Sequence, residues 1–241
     1  GDGPDAIRVP DIFYADDGNL ISSDTTCLQT MLTLLSLFSA ASGMEVNVAK
    51  TVWMEFLPAR ADPDTTLTLT YRDQPITKVE ECIYMGLRWH QSSTLHCSHI
   101  SRATSMGNRA FHAFLGRCKT LGLTLPDLLI RLFKILVHPV FTYGIQIWGV
   151  PLLAKCLKAP QRPTGSPLDN IQMHFLRRLS GANGTAHHLS MLHEIGMLPI
   201  HYHTLKLAVR FWTKTASLPT TRMLHQALRS DLTLMLARPC R

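Results

Sequence analysis

The sequence predicts an α+β fold, with short antiparallel strands around one helix over residues 1–90 and a mainly helical remainder. Three observations predict it. Up to Leu87, apolar residues alternate or cluster in short runs bounded by turn dipeptides, as strands require. From about Leu95 they recur at helical spacing instead. A hydrophobic content of 46% with 17% charged residues over 241 residues describes a globular chain with real cores.

The elements follow in order. Ile12 to Tyr14 and Leu20-Ile21 flank the polar tip Asp16-Asp17-Gly18-Asn19. Asp-Gly and Gly-Asn are strong turn dipeptides, so this run reads as a β-hairpin with two carboxylates at or just before its bend. Asp24 suits the N-cap of a helix running to about Ala41, with Leu28, Met31, Leu32, Leu35 and Phe38 as its buried face and Gly43 as its stop. Val46 and Val48 alternate with polar residues and Val52 to Phe56 is apolar and aromatic, so strands are expected there. Pro58 to Pro63 reads as a loop. Leu67, Leu69 and Tyr71 alternate, turn at Arg72-Asp73-Gln74-Pro75 and lead to Ile83-Tyr84-Met85-Gly86-Leu87.

In the second half, Ala103, Met106, Ala110, Phe114 and Leu115 keep a helical period that Gly122 helps to end. Pro126 suits a first helical turn ahead of the apolar Leu128 to Val137 stretch, which His138-Pro139 should kink or break. Pro160 to Pro167 is the clearest linker. Beyond it, helices are expected at about Leu168–Leu179, Thr185–Ile195, Ile200–Lys214 and Thr221–Leu236.

Charge and cysteines narrow the class. A formal charge of +7 and a pI near 9.3 point to polyanion partners, although the excess is modest and spread along the chain. Six scattered cysteines without a C-x-x-C pair fit a reducing compartment and offer no zinc-finger pattern. No apolar run approaches the length of a membrane span, and no signal-peptide pattern opens the chain. Gly1 stands first and a strand follows within a dozen residues, so the chain reads as a piece of something longer.

The hairpin carries the chemistry. No Lys or Arg close in sequence neutralises Asp16 and Asp17, and like charges side by side repel unless a cation sits between them. Mg²⁺ is typically held by one or two carboxylates plus substrate phosphates. The pair therefore suggests metal-dependent phosphoryl transfer. An acidic surface turn explains the same residues, and the hairpin alone does not choose between them.

Several stretches, in order, resemble the reverse transcriptases of non-LTR (LINE-type) retrotransposons. Phe13-Tyr14-Ala15-Asp16-Asp17 looks like their catalytic Y-A-D-D hairpin, and Ser42 to Thr51 is similar to the next motif, a glycine, an apolar residue, Asn and then Lys-Thr. Tyr84-Met85-Gly86 resembles the Y-L-G of the primer grip, with Met for Leu. His138 to Gly144 with Trp148 looks like the thumb's P-x-x-x-Y-G-x-x-x-W element. Phe175-Leu176-Arg177-Arg178 and His193-Glu194-Ile195-Gly196 are similar to the helical connector. Group II intron maturases share the catalytic hairpin, but the Tyr-Gly…Trp and Glu-Ile-Gly elements favour the LINE type.

The resemblance implies a polymerase palm end over 1–90, a helical thumb over 91–160 and a helical connector over 168–241. It implies RNA-directed DNA synthesis in the complete enzyme, inside the cell and in a eukaryotic nucleus, with an RNA template, a DNA primer and dNTP as partners. Asp16 and Asp17 would bind two Mg²⁺ ions, Asp16 the firmer ligand. Tyr14 and Ala15 would line the nucleotide side, and Tyr84, Met85 and Gly86 would place the primer backbone. Lys50 would be the general acid for pyrophosphate, against the plainer reading of a solvated lysine. The family's third carboxylate and its fingers precede the hairpin, where only about a dozen residues stand here. The isolated chain is therefore expected to be inactive; a non-catalytic nucleic-acid-binding remnant is the alternative.

Two further patterns remain. Lys206, Arg210 and Lys214 fall at i, i+4 and i+8 on one face of the expected helix, with Leu205, Ala208 and Trp212 on another. That stripe suits phosphate contacts to an A-form duplex, or is a solvated face; Arg177-Arg178 is open in the same way. His90, His96, Cys97 and His99 cluster, as do His187, His188 and His193, but neither has the ligand spacing of structural zinc, and none is expected.

Overall fold

The computed structural model describes residues 11–56, 67–158 and 166–237, a mixed α+β chain of short strands and several helices. The expected loop at Pro58 to Pro63 and most of the expected linker lie outside these residues. Two compact units emerge among the described residues: 11–56, 67–82, 90–92 and 217–237 belong to the first, and 83–89, 93–158 and 166–216 to the second.

The first unit opens on strands β1 (Asp11–Tyr14) and β2 (Asp17–Leu20), antiparallel, with Tyr14 opposite Asp17 and Phe13 opposite Gly18. Helix α1 (Thr25–Ser42) begins where the Asp24 carboxylate accepts from the Cys27 N–H at 2.9 Å, and ends on Gly43 at φ +66°. Strands β3 (Val52–Trp53), β4 (Leu69–Tyr71) and β5 (Gln74–Lys78) form a sheet in the order β3-β5-β4. β4 and β5 are antiparallel, joined by Arg72 and Asp73 at φ +47° and +63°, the signature of a type I′ turn. β3 instead runs parallel to β5, a departure from the expected antiparallel set.

Leu32, Trp53, Leu69, Tyr71 and Ile76 form this unit's core, with Leu20, Leu28 and Leu35 against it. The side-chain amide of Gln29 donates to the Thr70 carbonyl and accepts from its N–H, both at 2.9 Å. It thereby satisfies the open edge of β4 as a neighbouring strand would. Two expectations fail here. Phe38 is 58% exposed, and the small Ser39 is buried in its place, its hydroxyl turned back onto the Leu35 carbonyl at 2.6 Å. Val46 and Val48 pack on the core without forming a strand. Between them Asn47 accepts from the Lys50 N–H through its side chain and from the Thr51 N–H through its carbonyl, which curls the backbone into a turn.

Strands β6 (Glu81–Tyr84) and β7 (Leu87–His90) make a hairpin around Met85 and Gly86, both at positive φ. The second unit continues with α2 (Leu95–Thr120) and α3 (Pro126–Leu132), the latter with Pro126 in its first turn. Phe133–Val137 is a π turn leading directly into α4 (His138–Thr142). The expected break at His138-Pro139 is absent for a physical reason. The wider π turn lets the His138 N–H reach back to the Phe133 carbonyl, so the helix bulges where proline would otherwise clash.

Short helices α5 (Ile145–Trp148) and α6 (Val150–Lys158) follow, then α7 (Pro167–Ser180), α8 (His188–Ile195), α9 (Ile200–Ala216) and α10 (Met223–Ala237), the last in the first unit. Phe133, Val137, Phe141, Ile145, Trp148, Leu168, Ile171 and Leu176 are fully buried in the second unit's core. Phe133 and Phe175 stack there at 4.0 Å. Gly107 is where α2, α4 and α7 meet: a Cβ on it would lie 2.7 Å from Ile171 and 2.8 Å from Phe141. Only glycine allows that approach.

Candidate functional site

The acidic hairpin turns earlier than the dipeptides suggest. Its bend is Ala15-Asp16, and Asp17-Gly18 already belongs to β2. Gly18 serves the pairing instead, since a Cβ there would collide with the Phe13 ring at 2.8 Å. Ala15 has φ +54° and is the one central residue of the turn at positive φ, as in a type II′ turn where glycine is usual. A Cβ in that region is strained by about 1–2 kcal/mol. Asp16 thus sits in the bend and Asp17 at the first paired position, both exposed, with Tyr14 64% exposed beside them.

Two adjacent carboxylates in open solvent match the hard-oxygen chemistry of Mg²⁺. Their number falls short of a two-ion site. Among the described residues no group of three His, Cys, Asp or Glu side chains is placed to hold a metal. Lys50 is exposed at the end of the Asn47 turn and pairs with neither aspartate.

Tyr84, Met85 and Gly86 lie at the turn of the second hairpin, and that turn packs within its own unit. A Cβ on Gly86 would stand 3.2 Å from the Tyr143 ring, and one on Gly144 3.1 Å from Leu87. The Pro139 to Trp148 element therefore seats the hairpin. Trp148 is buried and donates its indole N–H to the Tyr143 carbonyl at 2.8 Å, closing the bend between α4 and α5. His96 bonds the Trp148 carbonyl at 3.0 Å, and His99 meets the indole edge-on at 5.0 Å while its Nδ1 accepts from the Arg88 N–H at 3.1 Å. Of the first histidine cluster, His96 and His99 serve packing and hairpin anchoring, His90 accepts from the Ser92 N–H at 3.2 Å, and Cys97 is exposed.

Lys206, Arg210 and Lys214 lie on the exposed side of α9. The expected apolar face is corrected. Ala208 is buried, but Leu205 and Trp212 are exposed at 46% and 38%, with Tyr202 and Val209 alongside. The buried side is Ile200, His201, Thr204, Ala208 and Thr215. Small side chains are needed there, because a Cβ on Gly149 would lie 3.1 Å from the Thr204 methyl. The Thr204 and Thr215 hydroxyls can be buried because each donates to the carbonyl four residues earlier, at 2.9 Å. An aromatic and aliphatic stripe thus runs beside the basic one.

Arg177 and Arg178 separate in role. Arg177 donates to the Gly184 carbonyl at 2.8 Å and holds the loop after α7, whereas Arg178 is exposed. They share a groove with His112 and His174, which the sequence reading missed. The signal was available in part: α2 carries Arg102, Arg109, Arg117 and Lys119 and no acidic residue. Nothing in sequence ties His112 to His174.

The division into units also overturns the impression of spread-out base. Among the described residues the second unit holds fourteen Lys and Arg against three acids, Asp127, Asp169 and Glu194, a formal charge of +11. The first holds five against ten among the described residues, a formal charge of −5. The acidic hairpin belongs to the acidic unit. Among the described residues no helix is long and apolar enough to cross a membrane. Comparison of the chain with protein-family models, curated proteins and solved structures gives no match in any of the three.

Proposed function

We propose that this chain is the palm end, thumb and connector of a LINE-type reverse transcriptase, and that by itself it binds nucleic acid without synthesising DNA. The separation of charge carries the reading: a helical unit whose described residues sum to +11 follows a unit that presents Asp16 and Asp17 at a hairpin turn. Cationic helices attract phosphate backbones independently of sequence and release counterions on binding. Exposed Tyr202 and Trp212 beside Lys206 and Arg210 add faces on which bases or sugars can rest. In the complete enzyme Asp16 and Asp17 would be two of the carboxylates that hold Mg²⁺, which supplies charge neutralisation at the reacting phosphates. Two exposed carboxylates do not make that site, so no catalytic step is assigned to this chain.

Ultraviolet crosslinking of an RNA–DNA hybrid to the full chain, followed by peptide mapping, tests the proposal. Crosslinks are expected within residues 93–216 and not within 11–56. Primer extension on an RNA template should give no product with this polypeptide. Crosslinks confined to the acidic unit would overturn the binding claim, and robust nucleotide incorporation would overturn the inactivity.

A further inference from the structure

The groove between α2 and α7 has an organisation that a basic surface alone does not require. It has a volume of about 420 Å³ and is lined by Phe111, His112, Leu115, His174, Arg177 and Arg178. Phe111 is buried and Leu115 half-buried, so the floor is apolar and rigidly held by the core. The remaining four lining residues are basic, and no carboxylate is among them. His112, His174 and Arg178 are exposed and make no hydrogen bond or ion pair among the described residues. Arg177 is fixed by its bond to Gly184, and its Nε is buried without a partner.

Two guanidinium groups at one depression, Arg177 and Arg178, repel one another unless an anion enters, and the two imidazoles beside them can donate hydrogen bonds to it. An arginine fork matches a phosphate in shape as well as charge. The apolar floor asks for more than inorganic phosphate, because a free anion would leave it bare. An unpaired nucleotide supplies both parts, a charged backbone for the rim and a base face for the floor. A duplex keeps its base faces stacked inside and offers the floor nothing.

We infer that the α2–α7 groove binds an unpaired nucleic-acid strand, with phosphates on Arg178, His112 and His174 and a base face over Phe111 and Leu115. This rests on the nucleic-acid reading above and assigns a second, single-stranded site apart from the basic stripe of α9.

Fluorescence anisotropy with the full chain tests it, using a labelled twelve-nucleotide single strand and a matched RNA–DNA hybrid. The triple variant His112→Ala, His174→Ala, Arg178→Gln alters exposed side chains and should keep the wild-type melting temperature. It is expected to weaken single-strand binding about tenfold or more and to flatten the salt dependence by about one unit of slope. Hybrid binding should change less than about threefold. Unchanged single-strand affinity in the variant would overturn the site, as would equal displacement of the strand by inorganic phosphate or by polyglutamate at matched charge. Wild-type binding of the hybrid without the strand defeats this inference alone, and binding of neither defeats the proposed function with it.

Discussion

Replacing Trp148 with alanine should destabilise the helical unit by about 3–5 kcal/mol, the cost typical of deleting a fully buried aromatic. Three losses coincide at this position. The core loses the indole's packing against Ile145 and its neighbours, and His99 loses the ring it meets edge-on. The Tyr143 carbonyl loses its donor at the bend between α4 and α5, where Gly144 at φ +66° already fixes the backbone. Trp148→Phe separates these contributions. It keeps most of the packing and removes the donor, so the expected loss falls to about 1–3 kcal/mol. Urea unfolding followed by helical circular dichroism measures both. A loss below about 1 kcal/mol for the alanine variant would mean that this element does not organise the unit.

Mild acid should destabilise the same unit before most carboxylates titrate. His99, His138, His188, His201 and His203 are all held below the ordinary histidine value of 6.5, each chiefly by burial. His138 is lowered furthest, to about 4, with His203 and Lys134 adding positive charge to the effect of burial. Its ring stands perpendicular to that of His203 at 4.4 Å and beside Phe141 at 5.2 Å, while Lys206 bears on His203 in turn. Because the folded value is depressed, the unfolded chain binds more protons between the two values. Stability is therefore complete above about pH 6.5, falls as the pH drops toward 4, and levels off below. By pH 5 His138 alone accounts for roughly 2 kcal/mol, and the other four act in the same direction. Unfolding free energies at pH 7.5 and pH 5 check this, with His138→Gln expected to flatten the profile. Equal stability at the two pH values would show that these rings are not shielded from solvent in the folded unit.

Local rules made much of the fold legible. Asp24 and Gly43 bound α1 as their chemistry requires, and the Arg72-Asp73 turn and the helices after Pro167 fall close to where periodicity and caps placed them. The failures arise where packing and backbone bonding, some of it local and some distant in sequence, outweigh the apolar pattern. Phe38 gives way to Ser39 on α1, where the small hydroxyl bonds back to the Leu35 carbonyl, and Trp212 to Thr204 and Thr215 on α9, where the close approach of Gly149 favours small side chains. At His138-Pro139 a π turn absorbs the proline, an option that a pattern of apolar residues does not display. The hairpin shifted by two residues because Gly18 serves the Phe13 ring and not the bend.

The candidate site was legible as chemistry and not as assembly. Asp16 sits in the bend and Asp17 just after it, both open to solvent, whereas the turn dipeptides put the pair at or just before the bend. What sequence order concealed was the partition of charge, since β7 and α10 interleave the two units along the chain. The groove residues His112 and His174 are 62 positions apart and meet only because α2 and α7 pack around Gly107.

The central claim is that the helical unit engages nucleic-acid phosphates. Its most direct measurement is the affinity of the full chain for an RNA–DNA hybrid at several salt concentrations between about 50 and 200 mM. Binding through four or more phosphates predicts a linear fall of log K with log salt, with a slope of about −3 or steeper. An affinity that does not change across that range, or no binding at its low end, would contradict the account.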